Sequence, residues 1–387
     1  MHFSKRMDGL SSAIFSQLHI KKSELLKNNR QVIDFSIGTP DLPPAKHVID
    51  VLSHECSKLE NYKYAINDLP ELTEAAIRWY ERRYGVSLEK DEVVSMMGSQ
   101  DGLSHIALTI SDPGEIVMVP DPCYPIFEVG PKLACANIYK MPLLGKNNFL
   151  IDFDSIDATV AHNAKLMIVS YPNNPVTATA PPEFYEKLIW FAKKYEIIVL
   201  HDNAYSELIF DGNKGNSFLS FKGAKDIGVE FNSLSKSHNM PGCRISFALG
   251  NKKIIGQLKT IKSHLDYGVF LPVQRAAIAA LDGPQDCVEL TRRTYEKRRN
   301  VLYKAFNDIG WKIDKTPATM FSWLPLPEGY SSSVDFTMEL IDKTGVIVVP
   351  GSSFGDSGNG FVRLAMVEPE ERIIIAANEI KNSGMLR

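Results

Sequence analysis

Strand-like and helix-like segments alternate through the middle of this 387-residue chain, and that alternation limits the fold more than any other feature. Short runs at 93–97, 116–120, 136–142, 166–170, 197–201, 229–233 and 245–250 are rich in β-branched residues and read as buried strands. Between several of them lie helical patterns. At 72–84 apolar and charged residues recur at helical spacing, and at 182–195 a proline pair opens a helix that ends in Lys193 and Lys194. Such alternation predicts an α/β fold with a mainly parallel sheet covered on both faces. The last third changes character. A long charged helix over 289–309, short strands at 318–324 and 346–349, and a final helix over 369–380 predict a smaller α+β domain.

Composition narrows the function classes. The formal net charge is -3, so no basic excess is available to neutralise phosphates and no nucleic-acid partner is expected. Cys56, Cys123, Cys135, Cys243 and Cys287 are odd in number and form no C-x-x-C pair, which fits a reducing compartment. The segment MHFSKRMDGL has no apolar core of signal-peptide length. No apolar run approaches the ~20 residues that span a bilayer. A cytoplasmic, membrane-free protein is the expectation. The histidines show no metal-ligand spacing, and no metal is expected.

Residues with chemical potential gather where predicted strands end. Ser-Leu-Ser-Lys (233–236) follows one strand, so Lys236 sits where open α/β sheets bind ligands. Partial burial would lower its pKa and make it a carbonyl nucleophile. Arg244 follows, with Gly242 expected to allow close approach, and lysine with arginine suits a phosphorylated aldehyde. A lysine in a polar loop is also commonly a solvated surface group. His-Asp-Asn-Ala-Tyr (201–205) places Asp202 to pair with a pyridinium nitrogen and Tyr205 to donate to a ring hydroxyl. An acid at a strand end can equally cap a following helix. Tyr-Pro-Asn-Asn-Pro (171–175) makes a rigid turn. From it Asn174 could offer its amide to a ring oxygen or a carboxylate.

Gly-Ser-Gln-Asp-Gly (98–102) opens an apolar helix and presents backbone N–H groups to an anion, although it is not a Walker motif. Tyr124 could stack on a planar cofactor or pack in the core. Arg363, inside the apolar strand 360–364, is costly to bury without an anion. A substrate carboxylate matches its fork, and so does a structural ion pair. The glycine-rich stretch 351–360 reads as a loop.

Taken in order along the chain, these motifs resemble the class I/II aminotransferases of the fold-type-I pyridoxal 5'-phosphate enzymes. The resemblance covers essentially the whole chain. Segments 99–125, 228–251 and 266–286 are most similar to the bacterial LL-diaminopimelate aminotransferase group. Two departures stand out: Gln100 where that group usually has lysine, and Cys123 where it has glycine. The resemblance implies an aspartate-aminotransferase-like fold with a seven-stranded large domain. It also implies the division 1–45, part of a small domain, 46–280, the large cofactor-binding domain, and 281–387, the small C-terminal domain.

The implied function is transfer of an amino group from an L-amino acid to a 2-oxo acid. Lys236 would carry the cofactor and move the α-proton. Asp202, Asn174 and Tyr205 would hold its ring, Tyr124 would stack on it, and Ser99, Gln100, Ser233, Ser235 and Arg244 would bind its phosphate. Gly38 and Arg363 would take the substrate, with Asn174. Tyr64 resembles the tyrosine that reaches a neighbouring subunit's phosphate, which implies a homodimer. Its segment is one residue short and lacks the usual glycine. The same scaffold also serves carbon–sulfur β-lyases, and a borrowed regulator fold would need a DNA-binding domain for which the region before the catalytic domain leaves no room. The amino donor has no code in the sequence.

Overall fold

The computed structural model describes residues 3–8, 10 and 13–386; residues 1, 2, 9, 11 and 12 of the expected N-terminal segment, and residue 387, lie outside the described residues. Seven strands form one sheet: β1 Val93–Met96, β2 Ile116–Asp121, β3 Asn137–Pro142, β4 Ala164–Ser170, β5 Ile198–Asp202, β6 Gly228–Ser233 and β7 Ser246–Gly250. Their spatial order is β1-β7-β6-β5-β4-β2-β3. β7 runs antiparallel to both neighbours, and every other pairing is parallel. Along β4, Leu166 and Ile168 belong to one apolar cluster while Met167 and Val169 belong to another. That two-residue alternation shows a core on each face of the sheet. Because β2, β4, β5 and β6 are parallel, their carboxyl ends share one edge, where a ligand meets loops from several strands at once.

The C-terminal part is built around helix α1, Asp286–Asp308, and an antiparallel sheet of β8 Phe321–Pro325, β9 Val349–Pro350 and β10 Phe361–Ala365, in the order β9-β10-β8. Two expectations change here. The strand foreseen at 346–349 divides: Val346–Ile347 pairs in parallel with Ile33–Asp34, and Val349 pairs with Arg363 in the other sheet. The strand foreseen at 318–324 begins only at Phe321, because Thr319 takes a left-handed φ of 72° that interrupts extended backbone. One apolar cluster joins Ile33 and Phe35 to Tyr295, Phe306, Phe336 and Leu364, so the N-terminal strand packs with elements some 300 residues away. Among the described residues no helix is long and apolar enough to cross a membrane.

Beneath the strand ends a buried polar network fixes the sheet. His201 and Glu230 are register partners on β5 and β6, so their side chains share a face, and Nδ1 lies 3.0 Å from Oε2. The same carboxylate accepts from Tyr80 Oη at 2.8 Å, Ser217 Oγ at 2.8 Å and the Phe218 backbone N–H at 2.7 Å. Glu230→Ala strands all of these buried groups and is expected to cost about 3 kcal/mol of stability. Urea unfolding checks this. A lowered midpoint at unchanged slope is the expected result, and an unchanged midpoint would show the network to be energetically idle.

Candidate active site

The strand ends enclose a cleft of about 500 Å³. β6 delivers Ser233, Ser235 and Lys236, and β5 delivers Asp202 and Tyr205. Asn174 enters from the loop after β4, and Tyr124 from the loop after β2. Ser99 and Gln100 come from the first turn of helix α2, Ser99–Ile110, and Arg244 from the loop before β7. The far wall is Gly38, Arg363 on β10 and Phe321 on β8. Tyr64 does not line this cleft. It is 79% exposed, and its ring lies 5.3 Å from that of Tyr267. Thr39, Leu103, Ala204, Pro241 and Phe321 line it without being expected from the sequence: four have apolar side chains, and the Thr39 hydroxyl stands in no motif that marks it.

Local geometry places each group. Ser233 caps the short helix Leu234–Ser237 by accepting from the Ser235 backbone N–H at 3.1 Å, which turns Lys236 back over the sheet edge. Asp202 ends its strand in a turn rather than at a helix, so helix capping does not explain it. Asn174 is held between two side chains: its oxygen accepts from Arg363 at 3.0 Å, and its amide faces the Tyr205 hydroxyl at 3.5 Å. Gly242 is not the residue that admits Arg244, because a Cβ there meets nothing within 4 Å. Gly98 is: it has φ 80°, and a Cβ there would lie 2.3 Å from the Arg244 guanidinium.

The electrostatics single out three groups in the cleft. Burial foremost, with Arg363 and Arg244 adding repulsion, pulls Lys236 down to about 8, and its Nζ donates to the Gly38 carbonyl at 2.5 Å. Burial lifts Asp202 up to about 6, and its Oδ1 has no hydrogen-bond partner. Burial also lowers Arg363 to about 10, so it stays charged at neutral pH. Of the three buried arginines among the described residues, Arg298 pairs with Asp41 and Arg299 with Asp211, whereas Arg363 has no acid partner. Its Nε, like Ser99 Oγ, is buried without a hydrogen bond.

What can satisfy such a cleft is narrow. An amine of lowered pKa wants an aldehyde, a buried carboxylate oxygen without a partner wants a protonated ring nitrogen, and Ser99 at a helix start beside Arg244 wants a phosphate. Pyridoxal 5'-phosphate carries all three, and a largely parallel sheet presenting them at its carboxyl edge defines a pyridoxal-phosphate enzyme of the aspartate-aminotransferase fold.

Residues 30–380 match the family described as Aminotransferase class I and II. The LL-diaminopimelate aminotransferase of Dehalococcoides mccartyi is 43% identical over 375 residues, 96% of each chain. That of Moorella thermoacetica is 41% identical over 98% of each. In structure the chain is similar to substrate-bound BacF from Bacillus subtilis, with TM-score 0.94 and 35% identity over 99% of this chain and 98% of that one. It is also similar to a probable N-succinyldiaminopimelate aminotransferase from Thermus thermophilus, with TM-score 0.90 and 32% identity over 96% of this chain and 100% of that one. The chain belongs to the class I and II aminotransferases. It is a pyridoxal-phosphate-dependent enzyme that moves an amino group between an amino acid and a 2-oxo acid. The named curated relatives are aminotransferases, and the carbon–sulfur β-lyase reading gains nothing from them.

Proposed function

We propose that Lys236 holds the cofactor and carries the α-proton, that Arg363 binds the substrate α-carboxylate, and that the amino donor is LL-diaminopimelate. The observation that carries this reading is Arg363, a buried cation with donors to spare and no acid beside it. A carboxylate supplies the missing charge and fits the planar fork. A bound pyridoxal phosphate supplies an aldehyde for the amino group and a ring that draws off the electron pair left when the α-proton departs.

Everything else falls to the protein. Asp202 keeps the ring nitrogen protonated, Tyr205 and Asn174 hold the ring oxygen, and Tyr124 covers the ring. Ser99, Gln100, Ser233, Ser235 and Arg244 hold the phosphate. With its amine free, Lys236 would be the group that accepts the substrate α-proton and hands it on. The choice of donor rests on the two curated relatives. Exposed Tyr62, Tyr64 and Ile66 lie side by side along the chain and support a homodimer in which Tyr64 completes the neighbour's phosphate site. The cytoplasm is the proposed location, and residues 46–280 and 281–387 the two domains, with 1–45 joining the second.

A half-reaction tests the assignment. The holoprotein is mixed with single amino acids, LL-diaminopimelate among them, with no oxo acid present. Loss of the visible cofactor band with a matching oxo acid, fastest for LL-diaminopimelate, is the expected result. A faster aspartate, alanine or aromatic donor overturns the substrate. Pyruvate and ammonia from cysteine with the band preserved would make the protein a lyase.

The lowered pKa of Lys236 has its own signature. With a pKa of about 8, roughly one molecule in ten has the neutral amine at pH 7, and that fraction grows with pH. Uptake of pyridoxal phosphate by cofactor-free protein is therefore expected to accelerate through pH 8 and then level off, as followed by stopped-flow absorbance. A rate flat from pH 7 to 9 contradicts it.

A further inference from the structure

The glycine-rich loop between β9 and β10 has no part in the reaction as described so far. It folds as two short turns, Gly351–Phe354 and Asp356–Gly358. It is also tied across to the end of β2. Ser357 Oγ donates to Asp121 Oδ2 at 2.9 Å, and the Cys123 backbone N–H donates to the Phe354 carbonyl at 2.7 Å. Gly355, with φ 135°, lies so close that a Cβ there would stand 1.8 Å from Asp121 Oδ1. Only glycine lets the loop dock this tightly.

Docking brings the Phe354 ring to Arg363. The guanidinium carbon is 4.6 Å from the Phe354 ring centroid and 4.2 Å from that of Phe321. Trp323 backs Phe354, with ring centroids 6.1 Å apart. Arg363 otherwise donates to Asn174 Oδ1 and, at 3.2 Å, to the Ser36 carbonyl. A ring face attracts the cation without neutralising it and without occupying the donors along the edge of the fork. An acid in the same place would fix the arginine and cancel it.

We propose that Phe354, delivered by the loop 351–360 and anchored on Asp121, is a positioning residue that orients Arg363 to grip the substrate carboxylate. The proposal rests on Arg363 being the carboxylate site. The loop thereby couples the segment carrying Tyr124 to the arginine, so that the two ends of the cleft are set by one contact.

The holoenzyme half-reaction with its fastest amino acid donor tests this, read as half-saturation concentration and limiting rate. Phe354→Met keeps volume and loses the ring. It is expected to raise half-saturation about tenfold, leave the limiting rate within about twofold, and leave the cofactor band unchanged. Phe354→Tyr restores the ring and should behave like the parent. Arg363→Ala is expected to raise half-saturation at least ~100-fold. Should Phe354→Met fail to fold, Ser357→Ala loosens the anchor more gently and should shift half-saturation about twofold in the same direction. If Arg363→Ala leaves half-saturation unchanged, the carboxylate assignment itself fails. If Arg363→Ala acts but Phe354→Met (or, in its place, Ser357→Ala) does not, the positioning role alone is overturned. It is overturned too if the loss falls on the limiting rate or if Phe354→Tyr is as impaired as Phe354→Met.

Discussion

Lys236→Ala is expected to lower turnover by at least ~10⁴-fold while the protein stays folded. The size follows from the two tasks proposed for one amine. Among the described residues it is the only amine lining the cleft, and without it the cofactor would have no covalent anchor there and the α-proton no carrier. Stability should move the other way. Lys236 is part-buried, and its amine is held below the ordinary lysine value because the site disfavours its charge. Between pH 8 and the ordinary lysine pKa, the unfolded chain binds the proton that the folded chain has released, so stability of the cofactor-free parent rises with pH across that window. The variant lacks that contribution and should be at least as stable as the parent at pH 7. Turnover assays and thermal melts of the cofactor-free proteins decide the matter. A variant with more than about one per cent of parental turnover would remove Lys236 from the chemistry.

The second large effect is expected from Asp202→Asn. The substitution keeps the shape and removes the charge proposed to hold the ring nitrogen protonated, and a loss of roughly 10²–10³-fold in the limiting rate should follow. Burial raises Asp202 to about 6 in the absence of a partner. The folded, cofactor-free protein therefore binds a proton that the unfolded chain does not between the ordinary aspartate pKa and 6, so stability present below that window is lost as pH rises through it. At pH 7 the cofactor-free asparagine variant should consequently melt higher than the parent, while gaining less on adding pyridoxal phosphate. A limiting rate within tenfold of the parent would show that Asp202 does not govern the ring. A lower melting point would show that its charge is compensated in the folded state.

The large sheet was legible because each strand is a short apolar run closed by a polar, chemically distinctive turn. All seven runs fall within two residues of the observed strands. The direction of β7 was not legible, since pairing partners are chosen by long-range packing that leaves no mark on the periodicity of a single run. The division at Val348 is of the same kind: Val346 and Ile347 serve one sheet and Val349 and Pro350 another, with nothing in Val-Ile-Val-Val to separate them. In the cleft, residues with functional side chains stood out at strand ends. Phe354 did not, because a phenylalanine in a glycine-rich loop resembles any loop anchor until the arginine beneath it is seen. Gly98 and Gly242 could not be told apart, as both precede a functional turn and only the approach of Arg244 separates them.

The pairing of Ile33–Asp34 with Val346–Ile347 has a consequence for how the protein is made. During synthesis the first strand leaves the ribosome about 310 residues before its partner, a delay on the order of 15–60 s at common elongation rates. In that interval the seven-stranded sheet can complete itself, since all its strands lie within the intervening chain. The N-terminal strand meanwhile has an unpaired edge and an apolar face, the kind of segment that invites chaperones or wrong partners. The wall of the cleft proposed to take the carboxylate, built from both Gly38 and Arg363, is assembled last. A nascent chain stalled before residue 346 would therefore already own Lys236 and the residues proposed to cradle the phosphate, yet could not present a finished cleft.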